Sequence, residues 1–194
     1  MNKTEISRET KETKIKLSLE TESKTPGFTG SSDVGFFDHM LNTFAIHGGF
    51  NIKLNMTGDL YVDCHHTIED VGIVLGMAFK NILDEKIAGN NNIVRYGTEY
   101  VPMDESLAFC TADLVCGRAY LIFNADFKAA QIGEYDTQMT REFFFALAQN
   151  MRANIHVNLL YGENDHHKTE AIFKSAARAI KHALMPSENV MSAK

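Results

Sequence analysis

The chain has 194 residues and a formal net charge of −6 at pH 7. Hydrophobic residues make up 44% of it and charged residues 23%, a balance that is typical of a globular protein and argues against disorder. Nucleic-acid binding demands a basic surface, so the acidic balance argues against it, although a small anionic ligand would need only a few local cations. The length predicts one domain or two small ones.

The N-terminal segment and the cysteines bear on where the protein works. Residues 1–20 are polar and lack the apolar core of a signal peptide, and no segment approaches the roughly 18 apolar residues of a membrane span. Cys64, Cys110 and Cys116 show no CxxC spacing and fit neither a disulfide framework nor a zinc ribbon. We therefore expect a cytoplasmic protein with no membrane partner and no nucleic-acid partner.

In chain order, the first half opens on a strand-like segment, residues 13–20, in which apolar and polar side chains alternate. Residues 36–48 then carry apolar side chains at helical spacing, and residues 50–56 alternate like a strand. A long amphipathic run follows at 71–83. The first half therefore indicates strands, a helix, a strand and a second helix.

The second half repeats this order. Its segments are strand-like at 107–127, helix-like at 141–150, alternating at 154–160 and amphipathic at 171–184. The turn-forming sequence GNNN at 89–92 separates the halves. We therefore predict an α+β fold of two duplicated half-domains, 1–92 and 93–194, whose sheets are each covered by helices on one face and which pack as one catalytic unit.

A His-His-x-x-Glu motif is the strongest chemical signal in the chain. It occurs once in each half, 101 residues apart, as His65, His66 and Glu69 and as His166, His167 and Glu170. At a helix start, residues i and i+4 share a face, whereas residue i+1 is turned by about 100°. The first histidine of each pair can therefore bind one metal ion together with the glutamate, and the second histidine can serve a different ion.

A single copy of the motif has another explanation, because it could be a polar helix start. Asp63 would then cap the first helix, and Asn164 or Asp165 the second. Two copies in matched contexts favour metal binding. Imidazole and carboxylate without thiolate suit manganese, iron, nickel or zinc, and several imidazoles with one carboxylate favour manganese or iron over closed tetrahedral zinc.

Two more candidate ligands stand at matched distances before the motifs. His39 lies 26 residues before His65, and Glu142 lies 24 residues before His166. A structural role explains each of them better than metal binding when it is taken alone. The shared spacing is what makes them candidates, since a carboxylate could replace an imidazole at the second position.

Three cations lie near these segments: Arg95, Arg118 and Lys174. Lys174 follows Glu170 by one helical turn and so shares its face. Arginine and lysine side chains that converge on one spot would hold a phosphate group. The alternative is that each is a solvated surface charge.

These residues resemble the imidazoleglycerol-phosphate dehydratase family of histidine biosynthesis. The likeness covers nearly the whole chain in the family's order, and it rests on residues 36–50, 63–76, 95–108, 113–120 and 161–180. The resemblance implies that each half is a four-stranded sheet with two helices. It also implies a homo-oligomer, a 24-subunit shell with manganese sites between subunits.

The resemblance implies two Mn²⁺ ions per active site, bound by two sets of residues. One set is His39, His66, His166 and Glu170; the other is His65, Glu69, His167 and Glu142, where many members have histidine at position 142. Contacts to the substrate and its phosphate would come from Glu12, His47, Arg95, Arg118, Lys174, Ser192 and Lys194. Glu170, Glu12 and His47 are the candidates for catalytic proton transfer.

The reaction implied is the loss of water from imidazole glycerol phosphate to give imidazole acetol phosphate, a carbon–oxygen lyase reaction. The proton is lost from a carbon with no neighbouring carbonyl, so the imidazole ring must supply the push. Metals on both ring nitrogens would favour the imidazolate, which expels the hydroxyl through a diazafulvene-like intermediate. A dinuclear metallohydrolase or a non-catalytic metal-clamped shell also fits the ligands, but only the dehydratase uses the cations as well.

Overall fold

The computed structural model describes residues 2–115 and 117–188. Over these residues the chain forms four helices: α1 (Gly35–Gly48), α2 (His65–Ala88), α3 (Met139–Met151) and α4 (Asp165–Leu184). Each predicted helical segment lies within one of them. None of these helices is long and apolar enough to cross a membrane.

Most of the strands form two four-stranded sheets. The first sheet has the order β1-β2-β4-β3 and consists of β1 (Lys3–Glu9), β2 (Thr13–Glu20), β3 (Gly27–Thr29) and β4 (Asn51–Gly58). The second has the order β5-β6-β10-β7 and consists of β5 (Tyr96–Met103), β6 (Ser106–Asp113), β7 (Tyr120–Asn124) and β10 (Asn154–Tyr161). A short hairpin pairs β8 (Gln131–Ile132) with β9 (Tyr135–Asp136).

The two halves have the same topology. Each half has two antiparallel strands, a third strand, a helix, a fourth strand and a second helix, and the third strand pairs parallel to the fourth. This confirms the predicted α+β fold of two similar halves, each a four-stranded sheet with two helices. The hairpin of β8 and β9 is an addition that only the second half carries.

The helices lie between the two sheets. Helix α2 packs on β1 and β2, α4 packs on β5 and β6, and across the middle α1 contacts α4 while α2 contacts α3. The alternation along β2 follows from this arrangement, because Ile15, Leu17 and Leu19 are buried against the helices while Lys14 and Lys16 face outward. Each buried aliphatic side chain of this kind contributes roughly 1.5–3 kcal/mol of stability.

Helices α2 and α3 approach closely and run in the same direction. A Cβ atom added to Gly72 would lie 2.7 Å from the carbonyl oxygen of Phe143, and one added to Gly76 would lie 2.7 Å from that of Leu147. Only glycine allows the two backbones to come this close.

The N-terminal halves of all four helices meet around one aromatic side chain. The Phe143 ring of α3 lies 5.4 Å from the Phe37 ring of α1 and 5.2 Å from the Phe173 ring of α4, measured between centroids. The backbone of Phe143 is the surface that faces Gly72 of α2. Both His-His-x-x-Glu motifs therefore open helices at this end of the molecule.

Candidate metal centre

Two histidines and a glutamate meet where α1 packs against α4. His39 of α1 and His166 and Glu170 of α4 offer ligand atoms that all lie within 4.8 Å of one another. The His166 Nε2 atom is 3.4 Å from Oε2 of Glu170, and His39 Nε2 is 3.7 Å from the same oxygen. The helical spacing predicted the approach of His166 to Glu170, and the packing of two helices adds His39.

Aromatic side chains line one side of this cluster. The Phe36 ring meets the His166 ring edge to face at 4.9 Å and the Tyr135 ring at 5.2 Å, between centroids. Tyr135 is fully buried, and burial raises the pKa of its hydroxyl well above the ordinary value. The aromatic wall limits the positions of the imidazole rings and excludes water from that side.

Lys174 forms an ion pair with the glutamate of the cluster. Its Nζ atom lies 2.8 Å from Oε1 of Glu170 and also donates to Sδ of Met103 at 3.2 Å. Burial alone would raise the pKa of the Glu170 carboxyl, but the hydrogen bond and charge of Lys174, with smaller help from the two histidines, lower it. Glu170 is therefore ionised at neutral pH, as a metal ligand must be.

The first motif shows the same helix-face geometry. The His65 Nε2 atom lies 3.6 Å from Oε2 of Glu69, one helical turn away. His66 points elsewhere, as its position predicted, and its Nδ1 atom lies 2.9 Å from Oδ2 of Asp59. That hydrogen bond is the main cause of a raised pKa for His66.

The second histidine of the second motif is held in a similar way. The His167 Nδ1 atom lies 2.7 Å from Oε2 of Glu105, and this hydrogen bond raises the pKa of His167. Its Nε2 atom lies 3.5 Å from Oδ2 of Asp104. Backbone N–H groups, chiefly that of Asn164, and the His167 ring hold the pKa of the Glu105 carboxyl well below its usual range.

Side-chain oxygens fix both motifs at helix starts. Asn164 is the N-cap of α4, and its side chain accepts a hydrogen bond from the His166 N–H at 2.9 Å. Of the two predicted caps for α4, Asn164 takes the position, and Asp165 is the first helical residue. The cap position of α2 belongs to Cys64, but Oδ1 of Asp63 accepts from the His65 N–H at 2.7 Å.

Glu142 lies at the position of α3 that corresponds to His39 of α1. In the duplicated halves the pairing of α3 with α2 corresponds to that of α1 with α4, so Glu142 lies on the helix that packs against the helix of the first motif. The carboxylate nevertheless pairs with Arg141, whose Nη1 atom is 2.7 Å from Oε1 of Glu142. Over the described ranges, the single group of three ligands within 4.8 Å of one another is that of His39, His166 and Glu170.

His47 lies further along α1 than His39, about two turns towards the C-terminal end of the helix. Its side chain is half-buried, and burial, followed by the charges of Lys174 and Arg178, lowers its pKa below the ordinary value. Glu170, Lys174 and Arg178 follow one another at i+4 spacing on α4 and face this part of α1. Sequence reasoning missed Arg178, although its helical spacing from Lys174 was a usable signal.

Glu12 occupies the exposed turn between β1 and β2. It shares a groove with Asp59, and its charge acts on His66. Asp70 of α2 binds both Arg8 and Thr13, which ties this turn to the helix that carries the first motif. Glu12 is therefore positioned beside the first motif.

The Arg95 backbone lies beside the C-terminal end of α4, whereas Glu170 lies near the N-terminal end of the same helix. The Arg95 Nε atom lies 2.8 Å from Oδ1 of Asp113, and the Arg95 N–H binds the carbonyl oxygen of Ala183 near the end of α4. Glu170 is 13 residues before Ala183, which is about 20 Å along a helix. Arg118 is exposed in the loop after β6, while Ser192 and Lys194 lie outside the described residues.

Comparison with known proteins agrees with this geometry. A family model for imidazoleglycerol-phosphate dehydratase matches residues 32–180. The enzyme of that name from Streptococcus thermophilus is 48% identical over 190 residues, which span 98% of this chain and 95% of that protein. The crystal structure of the Staphylococcus aureus enzyme matches with a TM-score of 0.84 and 36% identity over 95% of this chain and 99% of that one.

A structure from Pyrococcus furiosus matches with a TM-score of 0.78 and 34% identity, over 96% of this chain and 97% of that one. The likeness therefore extends across nearly the full length in sequence and in fold. The family that the sequence motifs predicted is confirmed. The chain belongs to the imidazoleglycerol-phosphate dehydratase family, which are lyases of histidine biosynthesis.

Proposed function

We propose that this protein dehydrates imidazole glycerol phosphate to imidazole acetol phosphate with two Mn²⁺ ions bound in each active site. The observation that carries the proposal is the cluster of His39, His166 and Glu170 with Lys174 beside it. It joins a metal-binding group to a cation suited to phosphate. The substrate has the matching parts, an imidazole ring and a phosphate.

The donor set fits manganese. It combines imidazole nitrogens with a carboxylate held ionised, contains no thiolate and leaves positions for further ligands. One ion would bind His39, His66, His166 and Glu170, and the other His65, Glu69, His167 and Glu142. Two divalent ions supply Lewis acidity, which lowers the energy of the anion that remains when an imidazole loses a proton.

Completion of each site would require more than one copy of the chain. His66 lies outside the three-ligand cluster of its own chain, and the Arg95 N–H binds Ala183, which is about 20 Å along α4 from Glu170. A neighbouring copy that supplied these residues would solve both problems. This supports a homo-oligomer with sites between subunits. The 24-subunit shell and the location in the cytoplasm are proposed from the family resemblance.

Lys174 would bind the phosphate together with Arg95, Arg118, Ser192 and Lys194. Fixing the phosphate orients the carbons that lose the proton and the hydroxyl, so binding free energy contributes to catalysis. Lys174 can exchange its contact with Glu170 for one with the phosphate, since both groups are anions. The flat guanidinium groups add bidentate contacts.

Three residues were candidates for moving the proton, and their surroundings differ. Glu170 is engaged by Lys174 and two histidines, which makes it better suited to metal binding. His47 has a lowered pKa and is neutral at pH 7, so it can accept a proton. Glu12 is exposed beside His66 and is the other candidate.

An activity assay on metal-stripped protein tests the proposal. Chelator-treated enzyme should be inactive on imidazole glycerol phosphate, and Mn²⁺ should restore formation of the ketone product better than Zn²⁺ or Mg²⁺. Glu170→Gln is the matched variant, and Mn²⁺ should fail to restore its activity. A wild-type protein that forms no ketone with any of these ions would refute the dehydratase assignment. Hydrolysis of the phosphate ester would instead support a metallohydrolase, and metal-dependent assembly without turnover a structural shell.

A further inference from the structure

In both motifs the second histidine has a carboxylate partner outside the motif. Asp59 Oδ2 lies 2.9 Å from Nδ1 of His66, and Glu105 Oε2 lies 2.7 Å from Nδ1 of His167. The same ring nitrogen is engaged in each case. The other nitrogen, Nε2, is thereby left with its lone pair directed away from that carboxylate. In His167 this nitrogen faces Asp104, whose Oδ2 atom lies 3.5 Å away.

This choice of nitrogen matches the other histidines of the proposed centre. His39, His65 and His166 all approach their glutamates through Nε2. A carboxylate that accepts from Nδ1–H fixes the tautomer, limits rotation of the ring and strengthens Nε2 as a metal ligand. All five histidines would then present the same atom to metal.

Glu105 is itself firmly held. It lies in the two-residue turn between β5 and β6, and its Oε1 atom accepts hydrogen bonds from the N–H groups of Glu163 at 3.1 Å and Asn164 at 2.8 Å. These residues form the loop that leads into α4. The Glu105 carboxylate therefore locks the position of the ring of His167 relative to the start of its own helix.

Asp59 is held by burial. Only 8% of the residue is exposed, and its Oδ1 atom is a buried oxygen without a hydrogen-bond partner among the described residues. Such an atom opposes folding, because it loses its contacts with water. Among the hydrogen bonds described for the chain, the Asp59 side chain has one partner, and that partner is His66.

The two carboxylates do not occupy equivalent places in the duplicated halves. Glu105 is in the first hairpin turn of its half, whereas Asp59 follows the fourth strand of the other half. The turn that corresponds to that of Glu105 is the one between β1 and β2, which carries Glu12. Since Asp59 holds His66, the carboxylate of Glu12 remains available to the substrate.

We propose that Asp59 and Glu105 are positioning residues, which orient His66 and His167 so that each presents Nε2 to one of the two metal ions. The inference rests on the proposed function in taking Mn²⁺ as the ion and in using the two proposed ligand sets. By the ligand sets above, Asp59 acts on the ion that Glu170 binds. Glu105 acts on the ion that Glu69 binds, although it lies in the other half of the chain.

Manganese binding to the full-length protein tests this without reference to catalysis. Titration calorimetry and metal analysis would compare Asp59→Asn, Asp59→Ala, Glu105→Gln and Glu105→Ala with the wild type. Each variant should lower the affinity for one of the two Mn²⁺ ions about 10- to 100-fold. The amide variants should lose less than the alanine variants, because an amide oxygen still accepts from Nδ1–H.

The Asp59 variants and the Glu105 variants should weaken the binding of different ions. Glu170→Gln combined with Asp59→Ala should affect one ion, leaving the other at wild-type affinity, whereas Glu170→Gln with Glu105→Ala should affect both. Asp84→Asn is the matched control, since among the described residues this exposed carboxylate has an ion pair with Lys80 alone, on the surface of α2. It should bind both ions as the wild type does.

Two outcomes would be contrary. If the wild type binds two ions and all four variants bind them with unchanged affinity, the positioning role is refuted, even where the variants unfold at lower temperature. If the wild type binds no manganese, the proposed metal centre is refuted and this inference falls with it. Activity measured with the same variants cannot substitute for the binding data.

Discussion

The Lys174 ammonium lies 2.8 Å from Oε1 of Glu170, the carboxylate oxygen that the neighbouring histidines do not face. His39 and His166 both approach the other oxygen, Oε2. One carboxylate thus connects the metal-binding cluster to the cation proposed for phosphate. Neither group can change its charge without an effect on the other.

Lys174→Gln should separate these two effects. Loss of a charge-assisted hydrogen bond to phosphate should raise KM for imidazole glycerol phosphate about tenfold or more. Mn²⁺ affinity should stay the same or increase, because the competing cation beside Glu170 is gone. Steady-state kinetics and manganese titration measure the two quantities, and Lys181→Gln on the exposed face of α4 is the control. An unchanged KM would remove Lys174 from the phosphate site.

Glu142→Gln tests the proposed ligand at position 142, where many family members have histidine. If Glu142 leaves Arg141 to bind metal, the variant should retain one Mn²⁺ ion per chain at full affinity and bind the other about 10-fold or more weakly. Metal analysis after dialysis measures this, with Glu134→Gln on the exposed β8–β9 turn as control. Full loading together with full activity would show that Glu142 is not a ligand.

Gly76→Ala should destabilise the pairing of α2 with α3. The new methyl group would lie 2.7 Å from the carbonyl oxygen of Leu147 and 2.8 Å from Cβ of Asn150, so the helices must separate. We expect a loss of about 1–3 kcal/mol in the free energy of unfolding, measured by urea denaturation. Gly35→Ala is the control, since nothing lies within 4 Å of the added atom. Equal stability of the two variants would contradict close contact.

Asp165→Asn should alter stability in a pH-dependent way. The Asp165 carboxylate is buried, and its bonds to Lys168 and to the N–H groups of Lys128 and Ala129 outweigh the effect of burial and lower its pKa. A depressed pKa stabilises the folded state above the ordinary value of 3.8, and this contribution disappears as pH falls through the folded pKa.

At pH 7 the variant should lose about 3–5 kcal/mol of unfolding free energy, because the Lys168 charge stays buried without its partner. The difference from the wild type should shrink from about pH 5 downwards. Urea denaturation of metal-free protein at several pH values measures it. A difference that is constant between pH 7 and pH 3 would contradict the depressed pKa.

Sequence patterns predicted the elements whose burial is one-sided. Helix α1 and strand β4 have clear apolar spacing because each presents one face to the core. Strand β1 was missed because Ile6 is its only aliphatic side chain, as expected of a strand at a sheet edge. The segment 107–127 appeared as one strand-like run, but the loop between β6 and β7 divides it.

The site was predictable where one helix holds both partners, as with His65 and Glu69. Contacts between elements could not be predicted, because residue spacing does not encode which helices pack together. Asp59 and Glu105 illustrate this, since each contacts its histidine from a separate strand end or turn. The grouping of His39 with His166 needed a resemblance to a known family or the structure itself.

The three-ligand cluster takes His39 from the first half of the chain and His166 and Glu170 from the second. Neither half could form it alone, but two copies of a half-length ancestor, paired through the same helices, would have formed two identical clusters. Fusion of the copies would then allow the two clusters to evolve independently. In this chain the two halves differ at the corresponding positions 39 and 142, which hold histidine and glutamate.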